Sequence, residues 1–215
     1  MRLLTVPWLA VAAVLALASD AAAQPAAWAA RTIEPSRRSD AAVVTYRELQ
    51  GELGGSERGP VLTVYGDGRV VTHYPVFMKR AGDWERRLSA AEIDTLLRSL
   101  ADKGVLEFDA PVVRRAARAS EAAATARARA ANAPVELFES SDAATTVIEV
   151  AVDRYVPATP GARAVQNFST RVAWTGLRAD AERHRDVAPL QDLAAAEQEL
   201  RALRDAPGAV RVRAP

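Results

Sequence analysis

"VYGDGRVVTHYP", Val64 to Pro75, decides how the chain is read, because Gly66-Asp67-Gly68 is either a loop that grips a phosphate or metal or a strand reversal. The flanking residues select the reversal. β-Branched and aromatic residues fill Val61 to Tyr65 before it and Arg69 to Phe77 after it, and Asp-Gly between two such runs is a strong hairpin signal. A tight reversal wants positive φ at its centre, which glycine supplies without a Cβ clash. A phosphate loop needs a strand-to-helix junction followed by Lys-Ser or Lys-Thr, and here the next residues are "RVVTHYP". A calcium loop needs carboxylates two and four residues beyond Asp67, where Arg69 and Val71 stand instead.

Moving upstream, "VVTYREL" from Val43 is another strand, closed by the loop signal "GELGGSERGP". Downstream, a turn at Gly82-Asp83 leads to a short strand around Trp84 to Leu88 and then to "SAAEIDTLLRSLADKG". Ser89 caps this helix while Glu92, three residues on, completes a capping box. Ile93, Leu96, Leu97 and Leu100 fall on one stripe, Lys103 suits the negative end of the dipole, and Gly104 stops the helix.

Past Phe108 the composition changes to "RRAARASEAAATARARAANA", rich in the best helix former but without large apolar residues. The spacing predicts an exposed inserted helix over 111–133, stopped at Pro134. Strands resume in "TTVIEVAVDRYV", where Thr146, Ile148, Val150 and Val152 face one way and Glu149 and Asp153 the other. "AVQNFSTRVAW" alternates likewise, and "PATPGAR" between them reads as a hairpin loop. A last helix starts near Pro189, with Leu193, Ala196, Leu200 and Leu203 inward and Arg201 and Arg204 near its negative end. Strand-strand-strand-helix, insert, strand-strand-helix implies an α+β fold: an antiparallel β-sheet with two helices packed on one face, plus the Ala/Arg-rich inserted helix.

The ends of the chain are read differently. Arg2, the 16-residue apolar run Leu3 to Ala18 and the small residues Ala21-Ala22-Ala23 form a secretory signal peptide over 1–23, with Ala27-Trp28-Ala29 a second cleavage site. The run is shorter than the ~20 residues of a membrane helix, so no stable membrane insertion is expected after cleavage, and the location is periplasmic or secreted. Residues 24–40 contain two prolines and no apolar period and read as a flexible lead, residues 41–205 as a single domain, and 206–215 as a tail or short edge strand. Cleavage leaves 192 residues with 27 basic against 26 acidic, enough for a real core and too balanced for a dedicated nucleic-acid binder. The chain has no cysteine, so the fold relies on its core without disulfides.

The motifs "LTVYGDGRVV", "RLSAAEIDTLL" and "TTVIEVAV" and the late Pro-Leu-led helix together resemble exported bacterial domains grouped as a domain of unknown function. The resemblance spans roughly Val43 to Leu203 outside the insert and implies a fold, not an activity.

The residues carry no catalytic signature, no cofactor motif and no metal-ligand spacing. His73 and His184 are the only histidines, one in a strand and read as a sheet-surface or rim residue, the other in "RADAERHRD" and read as a solvated loop or helix residue. No serine stands in a G-x-S-x-G elbow, and Ser169 with His73 has no sequence support as a pair. Asp67, Asp83, Asp109 and Asp153, near strand ends, leave a carboxylate-dependent hydrolase as an alternative. Arg114, Arg115, Arg118, Arg127 and Arg129 against Glu121 give the insert a local charge of +4, suited to an anionic surface such as lipid headgroups or acidic envelope glycans. It lacks the large apolar face of an interfacial helix and the aromatics of a single-strand binder, and a solvated linker helix is the plainer reading. The leading functional expectation is a non-enzymatic binding module of the cell envelope, its partner an envelope component or another secreted protein. An inhibitor or immunity-type partner of a secreted protein is a further alternative.

Overall fold

A computed structural model describes residues 31–49, 59–134 and 143–213; the expected signal peptide over 1–23 lies outside them. The strands are β1 (Thr32–Glu34), β2 (Ala42–Leu49), β3 (Val61–Tyr65), β4 (Arg69–Tyr74), β5 (Gly82–Arg87), β6 (Thr145–Val156), β7 (Val165–Thr175) and β8 (Val210–Arg213). The helices are α1 (Ala90–Asp102), α2 (Ala110–Ala130), α3 (Leu177–Arg183) and α4 (Ala188–Asp205), with a 3-10 turn at Val105–Glu107 after α1.

All eight strands join one antiparallel sheet. β7 pairs one edge of β6, while the other edge takes β2 along Thr145 to Val150 and β1 along Arg154 to Val156. From β2 the sheet continues through β3, β4 and β5 to β8. Within the stretch read as a flexible lead, Thr32–Glu34 is therefore a strand, held end to end with β2 on the same neighbour. Three ion pairs fasten that stretch to the rest, Arg31 to Asp102 and Arg37 to Asp94 at 2.7 Å each and Arg154 to Glu34 at 2.6 Å. Of the tail, Val210–Arg213 is an edge strand.

Alternation sets one face of the sheet inward. Val44 and Tyr46 of β2 lie between Val64 and Leu62 of β3 and Val150 and Ile148 of β6, all buried. Against this face pack Ile93, Leu96, Leu97 and Leu100 of α1 and Leu190, Leu193, Ala196 and Leu200 of α4. The short α3 adds Leu177, a helix with no clear apolar period in the sequence. The opposite face is mostly polar around a buried Val147, with Glu149 paired to Arg47 at 3.2 Å and to Arg171 at 3.4 Å. One-sided burial is the ordinary state of an antiparallel sheet, and it explains why the strands alternate so clearly.

α1 has the expected anatomy. Ser89 Oγ accepts from Glu92 N and the Glu92 carboxylate accepts from Ser89 N at 2.7 Å, closing the capping box. Gly104, at φ 70°, follows its C-cap. Leu97 is wholly buried. Leu97→Ala is expected to destabilise the protein by about 3 kcal/mol, the middle of the range for emptying a leucine site; a urea midpoint shift corresponding to under about 1 kcal/mol would show that the stripe is not part of the core.

α2 departs from the body. Asp109 caps it, accepting from Val112 N at 3.0 Å, and Pro111 sits in the first turn. Only Val113 and Ala117 are buried, and with the Ser120 bond to Asp186 they fasten the first three turns; beyond them the helix is exposed except for half-buried Thr125 and Ala128.

Candidate functional site

Side chains that matter chemically gather where the end of β2 meets α3 and α4. Period-two alternation turns Tyr46 and Glu48 of β2 to the same inner face, and Glu48 is opposite Thr146 of β6. Helical spacing does the same on α4: Glu197 falls among the buried positions Leu193, Ala196 and Leu200, one turn before Arg201 and two before Arg204. Glu197 is 3 % exposed, a carboxylate placed inside the leucine stripe. Burying such a group is tolerated only when its oxygens are bonded.

They are. Glu197 Oε1 accepts from Arg201 Nη2 at 3.2 Å, Arg178 Nη2 and Tyr46 OH at 3.3 Å each, and Thr146 Oγ1 at 3.4 Å. Glu48 Oε1 accepts from Arg201 Nη2 at 2.6 Å, from Arg204 Nη1 at 3.2 Å and, by a short bond, from Tyr46 OH. Arg201 thus bridges two carboxylates, and Arg204 ties Glu48 to Asp205. The two acids diverge electrically. Burial, reinforced by the charge of Glu48, raises the Glu197 carboxyl above the ordinary range. Burial also pushes Glu48 upward, but the Arg201 and Tyr46 hydrogen bonds and the charges of Arg201 and Arg204 outweigh it and leave Glu48 below the usual value. Tyr46 is raised by burial first and by Glu48 second, so it remains a donor.

Above the cluster, between α3 and α4, lies an open cleft of about 640 Å³. Glu197 and Arg201 lie at its base, and Arg178 and Arg185 also line it. A carboxylate pair with separated pKa values is what acid–base hydrolysis requires. Only one of these two acids, Glu197, lines the cleft, and it is already held by four donor side chains. The arrangement orients arginines more readily than it moves protons.

The residues marked in the sequence are scattered. Asp67 accepts from Arg69 N at 3.1 Å within its turn, Asp83 bonds His73 across β4 and β5 at 2.6 Å, Asp109 caps α2, and Asp153 is exposed on β6. His73 is at the polar face as expected, its side chain 55 % exposed. Ser169 on β7 and His73 on β4 have three strands between them, about 19 Å at ordinary strand spacing, so they do not meet. His184 corrects the expectation of a solvated residue: it is 5 % exposed, capping the unforeseen α3. Its Nδ1 lies 3.4 Å from Ser120 Oγ, which donates to Asp186 at 2.6 Å. A nucleophilic triad needs the carboxylate on the imidazole rather than on the serine, so this contact pins α2 to the loop after α3.

All five α2 arginines are exposed. Arg114 lies over the Trp174 ring at 5.2 Å. The Ser120 hydrogen bond, with a smaller contribution from the Arg127 charge, holds Asp186 below the usual carboxylate range. Arg115, Arg118 and Arg129 have no acidic partner among the described residues. With Arg114 they share about 100° of helix arc, turned away from Val113 and Ala117. No helix among the described residues is long and apolar enough to cross a membrane, and no group of three or more His, Asp or Glu among them is placed to hold a metal. No family model, no curated protein and no solved structure matches the chain.

Proposed function

We propose that the protein is an exported, non-enzymatic binding module of the cell envelope, periplasmic or secreted, and that α2 is the arm it presents to an anionic surface. The observation that supports this is the outward arginine stripe on a helix fastened only through its first turns. A helix that exists to close a core buries a full apolar stripe; this one buries a valine and an alanine and projects cations. Each basic residue near an anionic lipid surface contributes on the order of 1 kcal/mol, weakened by salt. Replacing Arg115, Arg118 and Arg129 together by alanine removes the unpaired cations and spares Arg114 on Trp174 and the buried Val113 and Ala117. The expected result is loss of retention on anionic vesicles or cell-wall material by about 100-fold at low salt, with thermal stability unchanged. Equal retention of the triple variant and the parent would overturn the reading.

The hydrolase alternative draws on Glu197, the single acid of the buried pair that reaches a cleft; the other carboxylate lining that cleft, Glu182, is exposed. Nothing specific favours the inhibitor or immunity-type reading over the arm.

A further inference from the structure

The cleft between α3 and α4 is separate from the arginine stripe, and its chemistry is more confined. Arg178 and Arg201 come from different helices yet both bond Glu197 Oε1, at 3.3 and 3.2 Å, so their Nη2 atoms stand no farther apart than those two lengths combined. A buried carboxylate with its own anchors on Tyr46 and Thr146 therefore holds two guanidiniums side by side at the base of an open cavity. Arg185 lines the same cavity from the loop after α3, its Nε bonded to the Glu182 carbonyl oxygen at 3.3 Å.

Three arginines line the cleft against two glutamates, and Glu197 is shared by two of the arginines while Glu182 is exposed. Arg178 is the loosest member: its side chain is 55 % exposed and it reaches Glu197 only through bonds of 3.3 and 3.4 Å. Glu48 holds Arg201 from behind at 2.6 Å, so the flat guanidinium forks left open to an oxyanion are those of Arg178 and Arg185, with Arg201 beside them. The cleft's volume of about 640 Å³ lies within the usual range for small-molecule sites. We propose that this cleft binds a small ligand through one oxyanion group, a carboxylate or a phosphate, held between Arg178, Arg185 and Arg201. Glu197 is a positioning residue in this site: it fixes the arginines before the ligand arrives, which lowers the ordering cost of binding.

The test uses the mature chain and two probes, succinate and inorganic phosphate, followed by calorimetry and by the NMR shift of the Gln198 side-chain amide at the cleft rim. The parent is expected to bind at least one probe with a Kd in the millimolar range or tighter and to shift Gln198. Succinate alone assigns a carboxylate ligand, and phosphate alone a phosphate ligand. Arg178→Ala with Arg185→Ala is expected to weaken binding at least about tenfold, and Arg185→Ala alone, which leaves Glu197 its two bonds from Arg178, to weaken it with an unchanged melting profile. The triple α2 variant is expected to bind as the parent does, which separates this site from the arm. Failure of both probes to bind, binding undiminished in the double variant, or shifts confined to α2 would each overturn the proposal.

Discussion

Arg201→Ala is expected to destabilise the protein by about 3–5 kcal/mol at neutral pH, because it removes the cation shared by Glu48 and the buried Glu197. Glu48 loses its shortest ionic contact, 2.6 Å, and Glu197 loses a partner at 3.2 Å while remaining buried. The remaining arginines do not replace it: Arg204 reaches Glu48 but not Glu197, and Arg178 reaches Glu197 from a mostly exposed position. The pH dependence follows from the signs. In the parent, the raised Glu197 contributes stability that is present below its unfolded value of 4.5 and lost as pH rises through its folded value. The lowered Glu48 contributes stability that is present above 4.5 and lost as pH falls through its folded value. Without Arg201 both carboxyls move upward, so the penalty is largest where both are ionised and shrinks as one takes up a proton. Urea unfolding of parent and variant at pH 7 and near pH 4.5 measures it. A difference below about 1 kcal/mol at pH 7, or one that grows on acidification, would show that the cluster does not carry the load assigned to it.

The cluster also marks where sequence reading stopped. α1, the β6–β7 hairpin and α4 were legible because each has a local period and local punctuation: Ser89 and Gly104 around a stripe of three leucines and one isoleucine, alternation in "TTVIEVAV", Pro189 before Leu193 and Leu200. What was missed is non-local or short. β1 is three residues long and exists by pairing with Arg154 to Val156, far along the chain. α3 has seven residues, too few for a period to emerge, and with it went the burial of His184. The Glu48–Glu197 pairing joins residues 149 positions apart, yet each left a signal. Glu197 occupies a position inside the leucine stripe, and Glu48 follows Tyr46 by two on the inward face. Reading every charged residue that falls on an apolar period as a member of a buried pair would have nominated both. For α2 the composition announced exposure correctly, and the structure adds which arginines are already engaged.

Gly68→Ala is expected to be as damaging, at about 4 kcal/mol, and the reason lies in the turn between β3 and β4. Gly68 has φ 91°, where an added side chain is strained by about 1–3 kcal/mol. Its Cβ would also stand 2.2 Å from the Leu88 carbonyl oxygen, so β5 and the entry to α1 must shift, an overpacking worth about 1–3 kcal/mol. The shift would strain the bond from Leu88 N to Gly68 O, 2.8 Å, which fixes that entry. Gly66 faces the opposite side, where a Cβ would meet Ser36 O at 2.1 Å, so protein backbone fills both flanks of the turn. Gly66 N donates to Ala41 O at 2.9 Å and Gly68 N to Tyr65 O at 3.0 Å, so neither amide is directed at a ligand. Gly104 provides the comparison, with φ 70° and nothing within 4 Å of an added Cβ; its alanine variant is expected to lose only about 1 kcal/mol. Chemical unfolding of the two variants separates backbone conformation from close approach. Equal losses at Gly68 and Gly104 would mean that the turn is not wedged between Ser36 and Leu88, and its glycines would then be open to another role.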